Sequence, residues 1–147
     1  MLKIDDLQKL GVQLGIDKIG VSSASSIGEH SLNTWLNRGY AGKMSYMERN
    51  QDLRLNPAEL LPGAKSIISV FVNYHQEQSY PALDGVISKY ARSIDYHIVL
   101  KDILHNLANA LFENLLIGLN RKEKAKIYRV FVDSAPVMEK YWAVKAG

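Results

Sequence analysis

Cysteine is absent from all 147 residues, so disulfides, thiolate nucleophiles and any cysteine-held zinc or iron–sulfur site are excluded within them. Any redox chemistry in which the chain takes part must draw on another group. Long hydrophobic runs are missing too. No stretch of about 18 apolar residues occurs, and the opening Met1-Leu2-Lys3-Ile4-Asp5-Asp6 carries acids where a secretory leader has a basic and then an apolar segment. These features predict a cytoplasmic protein with no membrane partner. Charge of one sign is scarce as well: a net +3 at pH 7 permits contact with RNA phosphates, but such a mild excess is too common to require it. There is no internal repeat and no low-complexity segment.

What is present is an ordinary globular composition, 47% hydrophobic and 22% charged, with chain enough for one core and one expected domain over 1–147. Ile4, Leu7, Leu10 and Leu14 at helical spacing predict a helix over 4–15, followed by a short strand at 18–21. A second helix is expected around Leu32, Trp35 and Leu36, a short one or a turn at 44–47, and a polar, proline-punctuated connection at 54–63. The nearly continuous apolar run 66–74 reads as a strand covered on both faces. Beyond a polar loop at 75–85, a strand is expected at 86–90. A long helix is expected over 95–117 with the stripe Leu100, Leu104, Leu107, Leu111 and Leu115. A charged loop at 121–126, a last strand at 127–132 and a helix begun by Pro136 complete the pattern. Strands separated by helices imply an α/β or α+β fold, a central mixed sheet flanked by helices.

Two constellations carry possible chemistry. Asp133 ends an apolar run three residues before Pro136. It reads either as a turn or capping acid, or as a general acid where strands deliver ligand-facing groups. The segment Lys89-Tyr90-Ala91-Arg92-Ser93-Ile94-Asp95-Tyr96-His97 gathers cations, phenols, an acid and an imidazole ahead of the long helix. Either Asp95 caps a solvated first turn, or the cluster presents donors to a polar cofactor or nucleotide. His97 and His105 are about 12 Å apart along a helix, too far to share one metal, so no metal site is expected from them. Pro62-Gly63-Ala64-Lys65-Ser66 fails the phosphate-loop spacing, since Lys65 does not follow Gly63 directly and position 58 is alanine. Arg54 by itself reads as a surface cation, Trp35 and Trp142 as core or interface aromatics, and the 121–126 run as a solvated turn or an RNA-phosphate contact.

Five segments in this order resemble the N-terminal half of the epoxyqueuosine reductase family. They are Trp35–Met47, Arg54-Leu55-Asn56-Pro57, Leu61–Ile68, Tyr90–His97 and Asp133-Ser134-Ala135-Pro136. The resemblance implies a corrinoid-binding domain holding cobalamin, with two [4Fe–4S] clusters on cysteines in a C-terminal half that these residues do not include. It implies removal of the epoxide oxygen from epoxyqueuosine in a tRNA anticodon loop, the last step of queuosine biosynthesis. Asp133 matches the family's proton donor. Arg54 and Lys140 match corrinoid contacts, with lysine where arginine is common, and Tyr90, Asp95, Tyr96 and His97 match the pocket-lining motif. Ser93 stands where glycine is commoner. We therefore expect the chain to be part of a longer oxidoreductase, monomeric at full length, and to turn over little by itself. An exposed face around Val137, Tyr141 and Trp142 is expected to favour self-association. The competing reading is a free-standing, non-catalytic cofactor- or RNA-binding module; a flavin-binding enzyme is a third.

Overall fold

The computed structural model describes residues 3–28, 31–75, 88–92 and 94–147. It is an α+β arrangement in which helices accompany a small antiparallel sheet of β1 (Lys18–Ser23) and β2 (Ser66–Phe71). The direction follows from the bonds at the two ends of the ladder. Asp17 N–H donates to the Phe71 carbonyl at 3.0 Å, and Ala24 N–H donates to the Lys65 carbonyl at 3.0 Å. The four interior residues of β2 are all half-buried rather than alternating, as a strand partly covered on both faces requires. The chain divides into two compact units, Met1–Ile19 with Val70–Leu119, and Gly20–Ser69 with Asn120–Gly147.

In the first unit, α1 (Ile4–Gln13) buries Leu7 and Gly11 and carries Asp5 and Asp6 in its first turn, where the helix dipole favours acids. Among its described residues, Ile16, Ile19, Leu107, Ala108 and Leu116 are also buried. Asp17 anchors the end of β2, its carboxylate accepting the Asn73 N–H at 2.7 Å. The expected long helix is two: α6 (Tyr96–Leu111) and α7 (Glu113–Leu116), separated at Phe112, whose φ of −117° and ψ of 20° leave the helical region. The break shifts the apolar phase, so Leu116 is 5% exposed and the expected Leu115 is 62% exposed. Of the strand expected at 86–90, residues 86 and 87 lie outside the described residues, and Lys89–Arg92 form a 3-10 turn. Ser93 and most of the expected 75–85 loop also lie outside the described residues.

The second unit holds the short helices α2 (Ser31–Asn37), α3 (Ser45–Arg49), α4 (Gln51–Leu55) and α5 (Pro57–Leu60). The expected 54–63 connection is thus partly helical. Asn56 makes this possible: its side chain accepts the Ala58 N–H at 3.2 Å, and Pro57 sits at the first helical position, where no N–H is needed. The charged run is likewise helical, as α8 (Arg121–Lys124) under a reciprocal Asn120/Glu123 capping box. Residues 127–132 form no strand: Ile127 closes the turn after α8 and Val132 enters the bend at Asp133. They satisfy their apolar demand by packing, with Val132 buried, and Arg129 Nη1 ties the segment down by donating to the Leu60 carbonyl at 2.7 Å. Among the described residues the central mixed sheet is therefore only the β1–β2 pair. The last helix, α9 (Glu139–Ala146), starts three residues after Pro136 and not at it. It buries Trp142, at 4% exposure, so the apolar face expected around that residue is instead packed inside this unit.

Candidate functional site

The second unit builds its site around residue 133. Asp133 has φ 51°, and it is the one non-glycine residue in the left-handed region among the described residues. The Ser134 N–H reaches the Val132 carbonyl at 2.5 Å, so Asp133 is the centre of a tight three-residue turn of the strained kind. Its own N–H donates to Glu139 Oε1 at 3.0 Å, and Glu139 is the first residue of α9. The chain thus folds back over six residues to set two carboxyl groups together. Loss of water around Glu139 pushes its carboxyl above the usual carboxylate range. The Asp133 N–H opposes that shift, while the charge and side chain of Asp133 add to it. Glu139 is a neighbour of Asp133 that the sequence reading misses. The signal is a second acid six residues after Asp133, hidden because Pro136 reads as the helix start.

Arg54, in the last turn of α4, keeps its Nε buried with no hydrogen-bond partner, contrary to a surface-cation reading. Lys140 follows Glu139 in α9 and is exposed. A cavity of about 300 Å³ lies in the same unit, lined by Ser22, Ser23 and Ser25 on one side and by Tyr141, Trp142 and Lys145 of α9 on the other. Ser22 Oγ is also buried without a partner. Tyr141 meets Trp142 edge to face at 5.0 Å, and the Lys145 ammonium lies 5.6 Å from the Tyr141 ring centre.

The first unit assembles the second group of expected residues. Asp95 caps α6: its Oδ1 accepts the His97 N–H at 2.9 Å and lies 2.8 Å from His97 Nδ1. Those bonds, the backbone one foremost, hold the Asp95 carboxyl below its ordinary range. Tyr90 is edge-on to Tyr74 at 6.4 Å and to Tyr96 at 6.0 Å, and Tyr96 stacks on the His97 ring at 4.2 Å. The cap and the aromatic platform are therefore one construction, in which Asp95 caps α6 as the first of the two sequence readings expects. Among the described residues no group of three or more His, Asp or Glu side chains could hold a metal. No helix among them is long and apolar enough to cross a membrane.

The family described as "Epoxyqueuosine reductase QueG, DUF1730" matches residues 54–134. An epoxyqueuosine reductase of Leadbetterella byssophila is 44% identical over 145 residues, covering 97% of this chain and 45% of that protein. That of Escherichia coli is 36% identical over 149 residues, covering 96% of this chain and 37% of its own length. The solved structure of epoxyqueuosine reductase from Streptococcus thermophilus superposes with a TM-score of 0.76 at 28% identity, over 100% of this chain and 39% of that one. The chain thus spans less than half the length of these relatives.

Proposed function

The chain belongs to the epoxyqueuosine reductase QueG family, DUF1730, and from that premise we propose that residues 1–147 form the N-terminal, cofactor-holding part of a cytoplasmic reductase. Its substrate in this reading is epoxyqueuosine in a tRNA anticodon loop, and the full-length enzyme is a monomer. The observation that carries the reading is Asp133, presented on a strained turn with its neighbourhood set by Glu139. Residues held in sparsely populated backbone regions cluster at active sites.

Epoxide removal breaks both carbon–oxygen bonds, forms a carbon–carbon double bond and releases the oxygen as water, so it consumes two electrons and two protons. An alkoxide leaves poorly at neutral pH, and a positioned acid lowers that barrier. Asp133 supplies that proton. The polar groups of the second unit fit a corrinoid, whose rim is rich in amides: the unpartnered Arg54 Nε–H and Ser22 Oγ–H are donors for amide oxygens, and Lys140 adds a cation. Bound there, cobalamin would supply the two-electron reduction. The [4Fe–4S] clusters that would feed it are not held on cysteines of these 147 residues, none of which is a cysteine. Tyr90, Tyr96 and His97 offer flat faces on which an unstacked anticodon base can rest, with Asp95 fixing the His97 ring.

The test uses the full-length reductase with Asp133→Ala. Turnover should fall about 100-fold or more while the corrinoid spectrum and cofactor affinity persist. Unchanged turnover would transfer the case to a non-catalytic cofactor- or RNA-binding module.

A further inference from the structure

The cavity of about 300 Å³ beside α9 has a consistent chemistry. The end of β1 and the residues after it bring the hydroxyls of Ser22, Ser23 and Ser25 to one wall, and α9 brings Tyr141, Trp142 and Lys145 to the other. Ser22 Oγ is shut off from solvent with no hydrogen-bond partner, so a buried hydroxyl stands unsatisfied. The Lys145 ammonium rests 5.6 Å from the Tyr141 ring centre, and no acid among the described residues pairs with it. No carboxylate is among the described residues that line the space. Lysine only donates and each hydroxyl can donate, so the walls offer hydrogen-bond donors and one positive charge from two sides.

We propose that this cavity is a phosphodiester site, in which Lys145 meets the anionic charge and Ser22 Oγ donates to a phosphate oxygen. A tetrahedral anion turns oxygens toward both walls at once, whereas a planar carboxylate faces one. The single ammonium matches the single charge of a diester; a monoester carries nearly two at neutral pH. The volume admits ester groups beside the phosphate, and Tyr141 and Trp142 supply ring surface for them. Under the function proposed above, two kinds of phosphodiester come to this chain, the one in the nucleotide loop of cobalamin and those of the tRNA backbone. The inference rests on that reading for its two sources and narrows it: the acceptor for Ser22 is a phosphate oxygen, and the corrinoid amides are left to Arg54.

The experiment takes the full-length reductase as parent, with Ser22→Ala, Lys145→Gln and, as control on the exposed side of α9, Val144→Ala. Ser22→Ala loses no hydrogen bond, so its thermal midpoint should equal or exceed the parent's, where a structural role would lower it. Dimethyl phosphate, a minimal diester anion, is titrated at constant ionic strength and followed by phosphorus NMR. The parent and Val144→Ala should bind it alike, and both site variants about tenfold more weakly. Equal binding by all of these proteins, or by none, overturns the site. A loss in only one of the two site variants overturns it too, since the proposal needs both walls.

Two further titrations name the source. If the phosphodiester is the cofactor's, both site variants should lose about tenfold in affinity for cobalamin and nothing for cobinamide, which lacks the nucleotide loop. If it is the RNA's, cobalamin affinity should hold while tRNA binding weakens, with the salt dependence in Lys145→Gln shallower by about one phosphate contact. Site variants that keep parental affinity for both cobalamin and tRNA would overturn the inference and leave the proposed function standing. A parent that binds dimethyl phosphate but neither cobalamin nor tRNA would instead keep the site and overturn that function.

Discussion

Gly20 and Ala146 meet where no side chain fits: a Cβ on residue 20 would lie 2.7 Å from the Ala146 carbonyl oxygen and 2.9 Å from its Cβ. The last turn of α9 therefore rests on the backbone of β1 itself. That seat matters beyond packing, because the same helix starts at Glu139 and carries Lys140. Since the obstacle is backbone and not a flexible side chain, Gly20→Ala must push the helix end outward. We expect it to lower the thermal midpoint and, in the full-length enzyme, to reduce turnover more than a surface substitution such as Val144→Ala. Residue 144 is 81% exposed on the same helix, so it is the matched control.

Asp95 is the cap of α6 and its carboxyl sits below the ordinary range, the backbone bond from His97 being the largest cause. A depressed folded-state value means the stabilisation is present above the unfolded carboxylate range and is lost as pH falls through the folded value. Asp95→Ala should therefore melt at lower temperature than the parent at pH 7, and the two melting curves should converge as the pH is taken down through and below the ordinary carboxylate range. A gap that persisted there would assign the loss to something other than the ionised cap.

Much of the scaffold is legible in the sequence, for physical reasons that differ by element. The helices α1 and α6 follow apolar residues at helical spacing, and Asp95 announces the second of them as a cap. The segment 127–132 misleads because β-branched and aromatic residues report half-burial, which packing around Val132 and the Arg129 anchor supplies without a strand. Pro136 misleads in the same way: a ring that fixes φ suits a turn as well as a first helical position, and here the helix waits until Glu139. The break at Phe112 leaves no mark in the residue pattern, yet it decides that Leu116 and not Leu115 is buried. Asp133 is visible from its place beside the turn residues. Its partner is not, because the contact with Glu139 depends on a left-handed residue that only the folded backbone reveals.

Glu139 also ties stability to pH with the opposite sign from Asp95. Its carboxyl is raised above 4.5, first by loss of water and then by Asp133. For a raised value the folded state binds the proton more tightly, so that stability is complete below the unfolded value and declines as pH rises through the folded one. Glutamine resembles the protonated form throughout. Glu139→Gln should therefore gain on the parent as pH rises from about 4 to 8, measured as the difference between their thermal midpoints. A difference that shrinks over that interval would contradict the assigned direction.

Asp133 separates what the fold prefers from what the chemistry needs. A β-carbon in the left-handed region costs about 1–2 kcal/mol, and asparagine or aspartate tolerates it better than alanine does. Glycine carries no such penalty at φ 51°. Asp133→Gly should thus melt at a temperature equal to or above the parent, with the Glu139 contact kept because it is made by the backbone N–H. Asp133→Ala should be the least stable of the three by about 1 kcal/mol relative to glycine. Both variants lack the carboxyl, so both should lose turnover in the full-length enzyme, one without any loss of stability. Thermal melts beside single-turnover assays check this: an active Asp133→Gly enzyme would mean that residue 133 serves the turn and not the proton transfer.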